Sequence, residues 1–148
     1  MDEVKKATLE DKATLCLNHA FEDLEAAKLT FNNELYNASC NRAYYAVYHT
    51  IRAVLALDNK EFKQHGETIG YYRHEFLKTE YLDRACSDTI KATGQLRTSC
   101  DYDDFYDASR EEVEKVITLA ESFYSYNKQY IDERICGIIG RYDKYKPL

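Results

Sequence analysis

The 148-residue sequence contains one proline, Pro147, five glycines and no tryptophan. A single proline next to the end leaves nothing in the first 146 residues to break a helix at proline. An all-β sandwich is disfavoured, because it needs many Gly/Pro turns. A dinucleotide-binding α/β fold is disfavoured too, because no Gly-rich strand-to-helix turn is present. No apolar run approaches the roughly 20 residues of a membrane span. The opening MDEVKKATLEDK has no apolar stretch, so no signal peptide is read. None of the five cysteines (Cys16, Cys40, Cys86, Cys100, Cys136) stands in a CxxC pair, and no HExxH occurs. Zinc-ligand spacing is therefore missing, no metal and no cofactor are expected, and the odd cysteine count reads as reduced thiols in a cytoplasmic protein.

An excess of basic charge is also missing. Lys and Arg total 20 against 26 acids, a net charge of −6. The residues 101–114 alone hold seven acids and one base, Arg110, so the rest of the chain is near neutral. That balance does not suit a general nucleic-acid coat, which depends on many phosphate contacts. It leaves room for a small local basic site.

What the sequence does have is helical periodicity over a length that suits one domain. Over 8–31, Leu9, Ala13, Leu17, Ala20, Phe21, Leu24, Ala27 and Phe31 recur at steps of three and four, while Glu22, Asp23, Glu25 and Lys28 supply a polar face. A second helix is expected over 37–57 around Ala43, Val47, Ile51, Val54 and Leu55. Asn41, Tyr45, Tyr48 and Arg52 share another of its faces. A third is expected from His65-Gly66 to Lys78 and a fourth from Leu82 to Ser99, weakened by Gly94. The acidic stretch 101–108 reads as a loop. Ser109 and Glu112 fit a capping box that starts a fifth helix running to 131. The tail 132–148 either extends this helix or packs on a partner. The expected fold is an all-α antiparallel bundle of four to five helices, with one domain over 1–131 and a C-terminal tail.

Two regions carry candidate chemistry. Asn41 to His49 is dense in Tyr and polar groups, and Tyr buries a ring while its hydroxyl needs a partner. Arg97, Asp101 and Tyr102 lie at the end of the fourth helix. Arg97 offers a planar fork suited to phosphate, or else forms a structural bridge with Asp101. His65, at a helix start, can present its ring to a groove and titrates near neutral pH.

The segment Asn41-Arg42-Ala43-Tyr44-Tyr45-Ala46-Val47-Tyr48-His49 resembles the R-A-Y-Y-A signature of a prokaryotic branch of the HEPN family. Gln64-His65-Gly66 is similar to that branch's T-H-x-G stretch, with Gln in place of Thr. Arg97 to Tyr102 resembles its R-x-x-x-D-Y stretch. The resemblance covers about residues 8–131 and implies a helical bundle that dimerises. It also implies a small nucleotidyltransferase as partner, RNA or a nucleotide as ligand, and either a toxin–antitoxin role or metal-independent RNase chemistry. In that chemistry Arg97 would stabilise phosphate charge, but the closing His of the family motif is replaced by Tyr102, followed by Asp103 and Asp104. A phenol, with an ordinary pKa near 10, is a poor base at pH 7. The first expectation is therefore a binding or regulatory module: Arg97, Tyr102 and His65 are the candidate reactive groups, and Asn41, Tyr45 and Asp101 the candidate ligand contacts. An RNase using Arg97 with Tyr102 or His65 is the alternative, and a structural assembly module is the weaker one. The same reading expects Arg97, Tyr102, Asn41, Tyr45 and His65 to meet at one polar site.

Overall fold

Thr8 and Asp11 open the first helix by a reciprocal cap: the Asp11 amide donates to Thr8 Oγ1 and the Thr8 amide to Asp11 Oδ2, both at 3.0 Å. The computed structural model describes residues 7–148. The reading of MDEVKKATLEDK therefore falls in part outside the described residues. Five α-helices follow in order: α1 Leu9–Asn32, α2 Tyr36–Ala56, α3 His65–Tyr72, α4 Cys86–Tyr102 and α5 Arg110–Ile135. Among the described residues there is no strand, and the all-α bundle expected from periodicity is the fold.

The register of contacts fixes the helix directions. Thr30 meets Ser39 at 2.8 Å, and further back along α1, Asp23 meets Arg42 and His49. Rising numbers on α2 thus pair with falling numbers on α1, so the two are antiparallel. Asp101 meets Asn41 while Arg97 lies over Tyr45, which sets α4 antiparallel to α2. Lys28 approaches Glu121 and Phe21 approaches Tyr124, which sets α5 antiparallel to α1. α2 packs against all four other helices and forms the centre of the bundle.

Several boundaries differ from the sequence expectation. Asp101 and Tyr102 belong to the last turn of α4, not to the acidic loop. An i,i+4 ion pair from Arg97 to Asp101 supports that extra turn. α4 starts at Cys86 and not at Leu82; Asp83 Oδ1 accepts the Ala85 amide at 2.9 Å, while Leu82 is buried in the preceding turn. After α3 the winding widens into a π-helical turn, Arg73–Leu77, closed by the Lys78 amide on the Arg73 carbonyl at 2.8 Å. Tyr72, Phe76 and Leu77 are all buried along this stretch. Ser109 caps α5 by accepting the Glu112 amide at 3.1 Å, but the Glu112 carboxylate is taken by the Tyr106 hydroxyl.

α5 continues past residue 131 to Ile135, and the remaining tail folds back on its own bundle. Asp58 accepts from Arg134 Nη2 at 2.9 Å and from Arg141 Nε at 2.6 Å. The Arg141 guanidinium lies 4.1 Å from the centre of the Phe76 ring. Further along, the Tyr145 amide donates to the Tyr81 carbonyl and the Tyr126 hydroxyl to the Lys146 carbonyl.

The core stripe of α1 is also corrected. Leu9 is exposed, as is Phe21 at 51%, whereas Asp23, read as part of the polar face, is 8% exposed. Asp23 stands three residues after Ala20 and four before Ala27, on the apolar stripe itself. It is tolerated there because Arg42 and His49 pair with it.

Candidate functional site

The site begins with the face of α2. Residues 41, 44, 45 and 48 are spaced by three and four, so their side chains rise on one side of the helix. Tyr44 and Tyr48 stack with ring centres 6.4 Å apart and planes 7° apart, and Tyr45 stands edge-on to both. His65, the first residue of α3, lies across this aromatic surface. Its ring centre is 4.0 Å from that of Tyr48 and 5.6 Å from that of Tyr45, and its Nδ1 is 3.1 Å from the Tyr44 hydroxyl.

α4 supplies the cation. Its last turns place the Arg97 guanidinium 4.7 Å from the centre of the Tyr44 ring, 5.7 Å from Tyr45 and 5.9 Å from Tyr102. These are cation–π distances, and the electron-rich faces favour the charge. Arg97 Nε donates to Asp101 Oδ2 at 2.9 Å, and Asn41 Nδ2 reaches the same oxygen at 3.3 Å. Among the described residues no hydrogen bond engages the two terminal nitrogens of Arg97. Tyr102 is 73% exposed at the rim.

The expected convergence therefore occurs. Asp101 meets Asn41, Arg97 meets Tyr45 and Tyr102, and His65 is reached from Arg97 through Tyr45 by steps of 5.7 and 5.6 Å. The two steps together put Arg97 and His65 within about 11 Å of each other, inside the roughly 15 Å that one small ligand can bridge. Arg97 is bridged to Asp101, as the structural reading expects, and lies against the Tyr44–Tyr45 surface.

The electrostatics follow from this packing. Burial lowers the His65 pKa from its ordinary value near 6.5, and the neighbouring Arg97, His49 and Arg52 push the same way. The imidazole is thus neutral at pH 7 and able to accept a proton. Burial works against the Arg97 charge, but Tyr45, Tyr44 and Asp101 outweigh it, and its pKa is raised. Burial raises the Tyr44 phenol as well, so Tyr44 remains a hydrogen-bonding hydroxyl.

Asp23, Arg42 and His49 support the site from α1 and α2. Asp23 Oδ2 is 2.7 Å from His49 Nδ1, and Asp23 Oδ1 accepts from Arg42 Nη1 at 3.0 Å. The Arg42 guanidinium lies 5.0 Å from the Tyr45 ring centre, and Nη2 donates to Asn41 Oδ1 at 2.7 Å. Asp23, Arg42 and His49 thereby hold Asn41 and Tyr45 in place. The sequence reading did not assign these three, nor Tyr44, to the site. The signal for Asp23 was an acid on an apolar stripe; for Tyr44 and Arg42 it was their adjacency to Tyr45 and Asn41. Among the described residues no group of three or more His, Cys, Asp or Glu side chains is arranged to hold a metal ion.

Comparison with known proteins places this geometry in context. The HEPN domain family profile matches residues 13–130. The protein named "Putative toxin MJ0605" from Methanocaldococcus jannaschii is 33% identical over 114 residues, which span 77% of this chain and 84% of that protein. A second protein of that organism, "Putative toxin MJ0142", is 27% identical over 115 residues, 78% of each chain. The "UPF0332 protein" of Thermotoga maritima is 27% identical over 114 residues, spanning 77% of this chain and 86% of that one.

Proposed function

The chain belongs to the HEPN domain family, and we propose that it acts as a regulatory binding module whose groove takes a nucleotide or a short stretch of single-stranded RNA. The observation that carries this reading is Arg97, a cation held on an aromatic surface with two terminal nitrogens left for phosphate. Tyr102 and Tyr45 offer rings on which a base can stack, which is worth about 1–3 kcal/mol per base. Asn41 and the Tyr44 hydroxyl supply polar contacts at the edge. A toxin–antitoxin-like setting is supported by the two relatives whose names call them putative toxins; a nucleotidyltransferase partner belongs to the same proposal. Homodimerisation in the cytoplasm belongs to the same proposal; exposed Leu15, Phe21, Leu29 and Leu35 provide apolar surface for it. Sedimentation at micromolar concentration returning a monomer counts against that part.

The test is titration of the protein with AMP and with a six-nucleotide RNA. Arg97→Ala is expected to weaken binding about 10- to 100-fold, the loss of one charge-assisted contact. Equal affinity in wild type and Arg97→Ala overturns the reading.

The RNase alternative is favoured by one observation: a neutral His65 shares the Tyr45 ring with Arg97. A neutral imidazole can accept the ribose hydroxyl proton while Arg97 steadies the phosphate. RNA cleavage in the presence of a chelator, lost in both His65→Ala and Arg97→Ala, would establish it.

A further inference from the structure

Directly beneath the Asn41–Asp101–Arg97 chain lie two cysteines. Cys40 is in the second turn of α2 and Cys100 in the last turn of α4, and their Sγ atoms are 2.8 Å apart. That is less than an ångström beyond the roughly 2.05 Å of a disulfide bond. The two residues are 60 positions apart in sequence, so their meeting is a product of the fold. Cys40 Sγ is oriented by the Asn37 carbonyl at 3.1 Å, and its residue is 1% exposed. Cys100 is only partly buried and can be reached from solvent.

We propose that Cys40 and Cys100 are a site of reversible disulfide modification that latches the N-terminal end of α2 to the C-terminal end of α4 at the base of the groove. The remaining cysteines are placed differently. Cys16 and Cys86 are buried on other parts of α1 and α4, and Cys136 is exposed after α5. The proposal stands on the geometry of the pair and does not depend on what the groove binds.

The chemistry is a dithiol–disulfide exchange with a small disulfide, such as oxidised glutathione, as oxidant. The Cys100 thiolate attacks one sulfur of the oxidant, forming a mixed disulfide and releasing one glutathione thiolate. Cys40 then loses its proton and attacks Cys100 Sγ, which closes the Cys40–Cys100 bond and expels the second glutathione. The two protein thiols lose two electrons and two protons, and the oxidant becomes two thiols. Burial raises both thiol pKa values. For Cys100 this is opposed by the hydrogen bond that it accepts from Cys40, and the same bond raises Cys40 further. Cys100, the accessible member, is therefore the entry point, and the reaction is slow at neutral pH and faster in alkali.

The experiment incubates the folded full-length protein with oxidised glutathione at pH 8. Free thiols are then blocked with an alkylating reagent, and peptides are mapped by mass spectrometry without reduction. The expected product is a peptide pair joined through Cys40 and Cys100, two hydrogens lighter than its parts and reversed by dithiothreitol. Cys136 should carry glutathione and serves as the measure that oxidation took place. In Cys40→Ser the resolving thiol is gone, and Cys100 should accumulate as its glutathione mixed disulfide. Hydrogen exchange of residues 97–103 should slow in the oxidised protein. Wild-type protein in which Cys136 is fully modified but no Cys40–Cys100 link is recovered overturns the proposal. So does linkage that appears only after unfolding in guanidinium.

Discussion

The Tyr72–Asn127 hydrogen bond lies wholly inside the core. Both residues are fully buried; the Tyr72 hydroxyl donates to Asn127 Oδ1 at 2.7 Å, and Asn127 Nδ2 donates to the Phe123 carbonyl at 2.8 Å. Asn127→Leu should cost about 1–3 kcal/mol, since the buried Tyr72 hydroxyl loses its oxygen acceptor and keeps only the neighbouring Cys86 thiol. The Tyr72→Phe, Asn127→Leu double variant should recover much of that loss, and urea unfolding of the four proteins checks the coupling. His65 gives the second test at this scale. Its folded-state pKa lies below the unfolded value near 6.5, so protons bind the unfolded chain more readily. The stability associated with neutral His65 is therefore complete above about pH 6.5 and is lost as pH falls through the lowered folded value. His65→Gln should flatten that part of the profile, and chemical denaturation between pH 5 and 7.5 measures it. A pH profile unchanged by the substitution would show that His65 does not set it. Sequence reasoning reached His65, Arg97 and Asp101 because their chemistry is conspicuous. It did not reach Asp23 or Arg42, because a charged residue on a core stripe declares its partner only when a second helix is laid against it.

Among the helices, α4 carries a correctable weakness. Gly94 sits inside it, and a Cβ at that position would meet nothing within 4 Å. Gly94→Ala should stabilise the protein by about 1 kcal/mol, through the reduced freedom of the unfolded chain. For a chain of this length that is a rise of about 3 °C in melting temperature, readable by calorimetry. No change would mean that the native state gains something from glycine there. The bodies of α1, α2 and α5 were legible from their stripes, since burial on one side imposes the 3.6-residue period. The ends were less so. Residues 101 and 102 looked like loop because acids and Tyr are weak helix formers, yet the pairing of Arg97 with Asp101 adds a turn. The π-helical turn after α3 has no local signature; it reflects where Tyr72, Phe76 and Leu77 must go to be buried together.

At the scale of the whole molecule, one carboxylate anchors the start of the tail. Asp58, at the end of α2, receives both Arg134 and Arg141, and all three side chains are mostly buried. Asp58→Ala leaves two arginines without their shared acceptor, and a loss of about 2–3 kcal/mol is expected after allowing for partial exposure. Trypsin should then cut at Arg141 and Lys144 well before it attacks the helices, and mass spectrometry of early fragments checks the order. Unchanged cleavage would mean that the other tail contacts, Arg141 with Glu75 and Phe76 and Tyr145 with Tyr81, suffice to hold it. The position of α2 has a wider consequence. Because that helix touches every other one, its central amides should exchange with deuterated solvent slowly, through large openings of the bundle. The aromatic face of the site is built on it, so that face persists only while the bundle is folded, even where the last turn of α4 opens locally. Nucleotide capture and heat denaturation should then be linked as a single equilibrium, with saturating ligand raising the transition temperature and leaving one cooperative peak.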